Sequence, residues 1–273
     1  METGQMNPAK YLARICVLPD HLEVNEEVLR FLQRKHLLTV PFENLDIHWN
    51  QPIVLDIEKF NEKIVLAGRG GFCYELNGLF NELLRSLGFQ TRLISARVFN
   101  GSEHGPEFDH AAIIVTIGED EYLADVGFGD FAVEPLRYSL GSEQQDPSGV
   151  FVIRQFDDGY IEVAKRDGDG WKSEYIFRDV PHELSEFAEM CDFQQYSPES
   201  HFTKGKVCSL LTETGRKTLT GSELILTTGN ERSKRPVESE EDFYVILKSE
   251  FGIDRPSNLN DYGAEGSESP SRI

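Results

Sequence analysis

One stretch constrains this chain more than any other: Arg69-Gly70-Gly71-Phe72-Cys73-Tyr74-Glu75-Leu76-Asn77-Gly78-Leu79-Phe80. Paired glycines relax the steric limits on φ and disfavour a regular element, so Arg69-Gly70-Gly71 reads as a loop. From Phe72 the apolar residues recur as Leu76, Leu79, Phe80, Leu83, Leu84 and Leu87, a three-four spacing that predicts a helix ending at Gly88. Cys73 then lies in the first turn, where unsatisfied N–H groups and the helix dipole favour an anion, so its thiol is expected to ionise more easily than a free one. A structural cysteine needs no glycine turn in front of it. A nucleophile does, because a substrate approaching it requires open backbone on that side.

Nucleophilic catalysis by cysteine needs a base and a third group to fix that base. Of seven histidines, His21, His36 and His182 lie in polar or helical stretches and read as solvated or capping. His110 differs. It opens the apolar run 111–117, which Gly118-Glu119-Asp120 separates from a second run, 121–128, and together these give a β-hairpin signal. In a hairpin with a two-residue loop, facing residues have numbers summing to an odd constant. His110 and Asp125 satisfy that parity, so their side chains share a face, with His110 opposite Gly127 and diagonal to Asp125, about 7–8 Å between backbones.

At these residues the chain resembles the arylamine N-acetyltransferase family. The 69–77 segment is similar to that family's nucleophile motif, Pro41-Phe42-Glu43-Asn44-Leu45 to its upstream motif and Asp125-Val126-Gly127-Phe128-Gly129 to its acid motif. Ser197-Pro198-Glu199-Ser200-His201-Phe202, with Cys208 and Gly215-Arg216, resembles its third-domain pattern. The resemblance spans about residues 11–252. It implies a cysteine-proteinase-like core with a Cys73, His110, Asp125 triad, acetyl coenzyme A as acyl donor, and an arylamine or arylhydrazine as acceptor. It also implies transfer through an acetyl-cysteine in ping-pong order. By the same resemblance Phe42, Phe128 and Phe202 line the acceptor pocket, and Asp109, Gly129 and Phe202 stand where the family contacts coenzyme A. An acid at position 109 departs from the uncharged residue expected there. The triad order alone also fits a related enzyme that closes an amide bond in biosynthesis or a thiol hydrolase, whereas a binding module that has lost its chemistry would lack a triad member, and none is missing.

Composition narrows the partners. A net charge of −20 disfavours nucleic acid and anionic membrane. It also obliges the phosphates of a coenzyme A donor to find a local cationic patch, for which Lys204, Lys206, Arg216 and Lys217 are candidates. Cys16, Cys73, Cys191 and Cys208 lack metal-ligand spacing and are too few for a disulfide framework, so no metal is expected. Asp167-Gly168-Asp169-Gly170 is too short for a calcium loop. With no basic, apolar leader at residues 1–6 and no membrane-length apolar run, a cytoplasmic protein is expected. The oligomeric state is not legible.

The fold class expected is α+β in three parts with a tail. Residues 1–88 read mainly as helices, including ones capped by Asn25 and Asp56, with 41–45 a connector. Residues 89–180 carry strands over 93–99, 111–117, 122–128, 151–156, 160–165 and 171–177, closing as a β-barrel, with 141–149 a loop. Residues 181–252 form a mixed α/β lid: a helix over 181–193, strands over 207–212 and 224–228, and a last helix from Ser239 to Gly252. Residues 253–273 are polar and expected to be disordered.

Overall fold

The structure is a computed structural model in which residues 6–19, 22–229 and 231–256 are described. The chain begins with α1 (Pro8–Arg14) and α2 (Glu26–Thr39), the latter capped by Asn25, whose Oδ1 accepts the Val28 N–H at 2.9 Å. A two-residue strand, β1 (Phe42–Glu43), and a single helical turn, α3 (Leu45–His48), occupy the stretch expected to be a plain connector. Asp56 caps α4 (Ile57–Phe60), which runs on into a π-helical segment, Asn61–Leu66, before the glycine loop. Then comes α5 (Cys73–Ser86). Its predicted stripe is buried: Leu76, Leu79, Phe80, Leu83 and Leu84 pack with Tyr11, Leu29, Leu32, Phe60 and Ile64. Each such side chain contributes about 1.5–3 kcal/mol on burial, so the core rather than local propensity fixes where this helix sits.

Eight strands follow: β2 (Gln90–Val98), β3 (His110–Ile117), β4 (Asp120–Ala124), β5 (Leu136–Arg137), β6 (Glu143–Asp146), β7 (Gly149–Gln155), β8 (Ile161–Asp167) and β9 (Gly170–Phe177). They form one antiparallel sheet, ordered β5-β4-β3-β2-β9-β8-β7-β6, that curls into a nearly closed barrel. Thr116 faces Glu121 and Ile117 faces Asp120, which leaves Gly118-Glu119 as the loop and sets the parity inferred from sequence. Two expectations need correction. The second hairpin strand stops at Ala124, not Phe128, because the next main-chain N–H groups leave the ladder: Asp125 donates to Gln33 Oε1, Val126 to Asn77 Oδ1 and Gly127 to Asp125 Oδ1. The 141–149 stretch is not all loop, since β6 pairs with β7 along an edge where backbone bonding alone defines the strand.

A 3₁₀ turn, Leu184–Phe187, leads into α6 (Ala188–Tyr196), splitting what reads as one helix. Next are β10 (Val207–Thr212), β11 (Gly215–Thr220), β12 (Glu223–Thr228), β13 (Glu231–Pro236) and α7 (Glu240–Phe251). Ser239 caps α7, and Gly252 ends it at a φ of +71°, both as expected. The strands form a sheet ordered β1-β10-β11-β12-β13, so β1 of the N-terminal part completes the C-terminal sheet. One face of that sheet, with Cys208, Leu219 and Leu224, packs against Phe243, Ile246 and Leu247 of α7. Among the described residues no helix is long and apolar enough to cross a membrane. His21 and most of the expected 253–273 tail lie outside the described residues.

Candidate active site

The glycine loop is held by close backbone approach. A Cβ on Gly70 would lie 2.1 Å from the Pro41 carbonyl oxygen, so no other residue fits there without displacing β1. Gly71 in turn bonds on both sides, its N–H to Pro41 O at 3.2 Å and its carbonyl to the Glu43 N–H at 2.9 Å. Phe72 is the N-cap of α5, and its N–H is taken by the Glu75 carboxylate at 2.8 Å. These contacts set Cys73 at the helix start, 4% exposed.

His110, at the start of β3, is 3% exposed, and its Nε2 stands 2.7 Å from Asp125 Oδ2. The acid is itself fixed. Asp125 Oδ1 accepts from Asn77 Nδ2 and from the Gly127 N–H, each at 2.9 Å, and Oδ2 accepts from the Tyr175 hydroxyl at 3.4 Å. Asn77 joins the two halves of the site. It lies one turn along α5 from Cys73, on the same face, and its Nδ2 also donates to the Ala111 carbonyl at 2.6 Å, beside His110. The Phe128 ring stands edge-on to the His110 imidazole, centroids 5.3 Å apart. Gly127 lets this loop close on the helix, since a Cβ there would come within 3.0 Å of Cys73 Cα and 2.9 Å of its carbonyl oxygen.

Cys73, His110, Gly127, Phe128, Phe42, Phe202 and Asp109 share one cavity of about 430 Å³. Phe202 meets Phe72 edge-on at 4.6 Å and Phe42 at 6.1 Å, and Phe42, Phe99, Phe128, Phe193 and Phe202 give the wall an aromatic part. Gly129 lies two residues past Gly127 at a φ of +96°, with nothing within 4 Å of where its Cβ would be, but it is not part of the cavity wall. Asp109 faces the cavity, and its Oδ1 accepts from Gln194 Nε2 at 2.6 Å; Gln194 Oε1 in turn accepts from Ser200 Oγ at 2.6 Å. This chain ties the start of β3 to the turn that carries Phe202.

The electrostatics reverse one expectation. Burial, then Cys191, Asp109 and Asp125, push the Cys73 thiol well above its ordinary value, and the Tyr74 main-chain N–H only partly opposes them. Burial at this helix start opposes the ionisation that the helix dipole favours. Burial likewise raises the Asp109 carboxyl. His36 is a second correction. It is fully buried rather than solvated, with Nδ1 2.7 Å from the Tyr11 hydroxyl, and burial followed by the Arg14 charge lowers it to about 3.

Sequence reasoning gave no role to Asn77, Tyr175 or Gln194. Asn77 left a signal, a polar side chain within an apolar helical stripe, whereas Tyr175 and Gln194 arrive from distant elements and left none. No group of residues suited to a metal ion occurs among the described residues.

A papain-like arrangement of helix-borne thiol and strand-borne imidazole on an α+β frame narrows the class, and comparison narrows it further. The N-acetyltransferase family model matches residues 26–259. The arylamine N-acetyltransferase of Escherichia coli is 32% identical over 234 residues, covering 84% of this chain and 83% of its own. Among solved structures, the arylamine N-acetyltransferase of Salmonella typhimurium superposes with a TM-score of 0.86 at 28% identity, covering 95% of this chain and 96% of that one. The Mycobacterium marinum enzyme, solved in complex with CoA, gives 0.83 at 27% identity, covering 90% and 93%. The chain therefore belongs to the arylamine N-acetyltransferase family and is an acyltransferase.

Proposed function

We propose that the chain transfers an acetyl group from acetyl coenzyme A to an arylamine or arylhydrazine in two half-reactions, with Cys73 as nucleophile, His110 as base and Asp125 as the residue that holds His110. The observation that carries this reading is the 2.7 Å contact of Asp125 with His110, which lines the same cavity as Cys73. Because burial disfavours a free thiolate, the Cys73 proton passes to His110 as sulfur attacks the thioester carbonyl. The tetrahedral oxyanion is held by main-chain N–H groups at the start of α5, that of Cys73 among them. Its collapse breaks the carbonyl–sulfur bond to coenzyme A, whose thiolate takes the proton back from His110. Acetyl-Cys73 remains. The amine then attacks this thioester and gives a proton to His110, which returns it to the departing Cys73 sulfur.

Phe42, Phe128 and Phe202 suit a flat aromatic acceptor, while Asp109, Gly129 and Phe202 flank the donor's approach. The segments 1–88, 89–180 and 181–252 serve as helical domain, barrel and lid. A cytoplasmic setting suits a working thiol, and the charge of −20 leaves small molecules rather than nucleic acid or membrane as partners. Incubation with acetyl coenzyme A and no acceptor should add one acetyl group to the peptide bearing Cys73, and none in Cys73→Ala. Label on Cys16, Cys191 or Cys208 instead would overturn the assignment.

A further inference from the structure

Gln194 and Gln195 are neighbours on α6, and each is only 5% exposed. A buried amide is costly unless its oxygen and nitrogen find partners, so where these two reach is informative. Gln195 grips the N-terminal part: its Oε1 accepts the Ile53 N–H at 2.6 Å, and its Nε2 donates to the Ile53 carbonyl at 3.1 Å. Gln194 grips the barrel instead, through the 2.6 Å bond to Asp109, the residue before His110.

The connection runs on beyond Gln194. Ser200, 2% exposed, donates its hydroxyl to Gln194 Oε1 at 2.6 Å, and the same Oγ accepts the Phe202 main-chain N–H at 3.1 Å. The carbonyl of Phe202 is held from another side. It accepts from Asn44 Nδ2 at 3.0 Å, and Asn44 Oδ1 accepts the Val207 N–H at 2.7 Å. Both peptide groups that flank the Phe202 Cα are therefore fixed, one by way of the barrel and one by the residue between β1 and α3. The ring follows its backbone, and it stands edge-on to Phe72, the N-cap of the helix that carries Cys73.

This arrangement also gives the acid at position 109 a task. The resemblance led to an uncharged residue there, but a carboxylate accepts from an amide more strongly than a neutral side chain does. Its charge strengthens a bond that joins the start of β3 to the turn bearing Phe202.

We propose that Gln194 is a positioning residue for the acceptor: through Ser200 it holds Phe202 where the ring of an arylamine is gripped beside Cys73. The inference rests on the reading of Phe202 as an acceptor wall given above. Gln194 then bears on acceptors that have a ring and little on nucleophiles that have none.

The test compares aniline with hydrazine, because kcat/KM for the acceptor in ping-pong order reports the second half-reaction alone. Gln194→Leu is of similar bulk and removes the side chain's bonds. Its kcat/KM for aniline should fall about tenfold, mostly in KM, the size of a lost hydrogen bond to a charged partner, while that for hydrazine moves less than about twofold. Ser200→Ala cuts the same chain at its other end and should show the same pattern, guarding against a folding defect in the first variant. Added to Phe202→Leu, Gln194→Leu should cost aniline nothing further, since residues that act through one another are not additive. Asp109→Asn together with Gln194→Glu reverses donor and acceptor, leaves Ser200 an oxygen to donate to, and should recover most of the aniline loss. Equal losses with both acceptors, an additive loss in the Phe202→Leu background, or a reversed pair no better than Gln194→Leu would overturn the proposal. If Phe202→Leu itself treats the two acceptors alike, the acceptor reading fails instead. Amide hydrogen exchange over residues 197–203 then decides the tie: faster in Gln194→Leu and parental in the reversed pair if Gln194 holds the turn, and unchanged in both if it does not.

Discussion

Two buried polar groupings meet the first turn of α5, and they handle charge in opposite ways. In one, Lys63 Nζ is 2.7 Å from both Asp46 and Glu75, while Arg69 bridges Glu43 at 2.6 Å and Asp46 at 2.5 Å. Five ionic side chains thus bond to one another and to the main-chain N–H groups of Leu45 and Phe72, with Arg69 Nε left without a partner among the described residues. Burial works against the Lys63 ammonium, but Glu75, Glu43 and Asp46 together raise it above its ordinary value. In the other grouping His110 and Asp125 are bonded to each other, and the imidazole also borders a cavity. The closed grouping spends its hydrogen-bonding capacity on holding the glycine loop. The open one keeps a proton acceptor in reserve. On the proposed mechanism one bears on stability and the other on turnover, and substitutions can separate the two.

The largest effect should come from the open grouping. In Asp125→Asn the amide oxygen can still accept from Asn77 and Gly127, which turns the amide nitrogen toward His110 Nε2. That nitrogen must then act as acceptor, which puts the imidazole proton on Nδ1 and removes the base. The same change in serine proteases costs about 10⁴-fold, and a loss of that order in kcat is expected here with the circular dichroism of the parent retained. Activity within a few fold of the parent would show that another acid, Glu121 or Asp109, holds His110.

Lys63→Met should do the reverse. It leaves Glu43, Asp46 and Glu75 with Arg69 alone, and breaking a buried ionic arrangement by removing one partner costs about 3–5 kcal/mol. Urea denaturation should show a loss of that size, while acetylation of the remaining folded protein stays near the parental rate. A loss under about 1 kcal/mol, or a rate that collapses in the folded fraction, would erase the distinction between the two groupings.

These two groupings were unequally legible in sequence. The sharing of one face by His110 and Asp125 follows from a two-residue loop and period-2 geometry, both local; the structure has that register from Ile113–Ala124 to Ile117–Asp120, but the ladder ends before Asp125, so the expected pairing of His110 with Gly127 is not formed. Cys73 follows from local helix periodicity. The ionic grouping draws on 43, 46, 63, 69 and 75, whose pairing depends on how β1 and the π-helical segment pack, and no local pattern announces it. The same limit explains β6 and β13, polar edge strands with no alternation to read, β13 being exposed along its whole length. His36 misled because a polar residue on a helix is usually solvated, and its partner Tyr11 comes from another helix.

A smaller effect tests how the thiolate arises. Burial raises the Cys73 thiol, and His110, the base in the proposed mechanism, lines the same cavity. Removing the imidazole in His110→Ala leaves only the Tyr74 main-chain N–H against burial, so Cys73 should react with iodoacetamide only above the free-thiol value of about 8.5. The parent should react at a pH lower by about one unit or more, since a protonated imidazole favours the thiolate. Superimposable profiles would mean that His110 takes no proton from Cys73 in the resting enzyme.

The smallest effect belongs to Asp109, which sits in the open part of the site and bears on acceptor choice. Its carboxylate lines the cavity that holds Cys73, and its bond to Gln194 Nε2 fixes it there. An arylamine carrying a ring carboxylate must bring like charge toward it, whereas a neutral aniline or hydrazide does not. At separations near 7 Å and an effective dielectric of 20–40, that repulsion is roughly 1–2 kcal/mol, or about five- to thirtyfold in kcat/KM. Asp109→Asn should recover much of that factor for the anionic acceptor and change the neutral one little, with the same rate of Cys73 acetylation for both. Because burial raises the Asp109 carboxyl, the parent's discrimination should also relax as the pH falls and the acid takes up its proton. Discrimination that is unchanged by the substitution and flat with pH would assign the selectivity to the aromatic walls, Phe42, Phe128 and Phe202, and leave Asp109 as a tether for Gln194 alone.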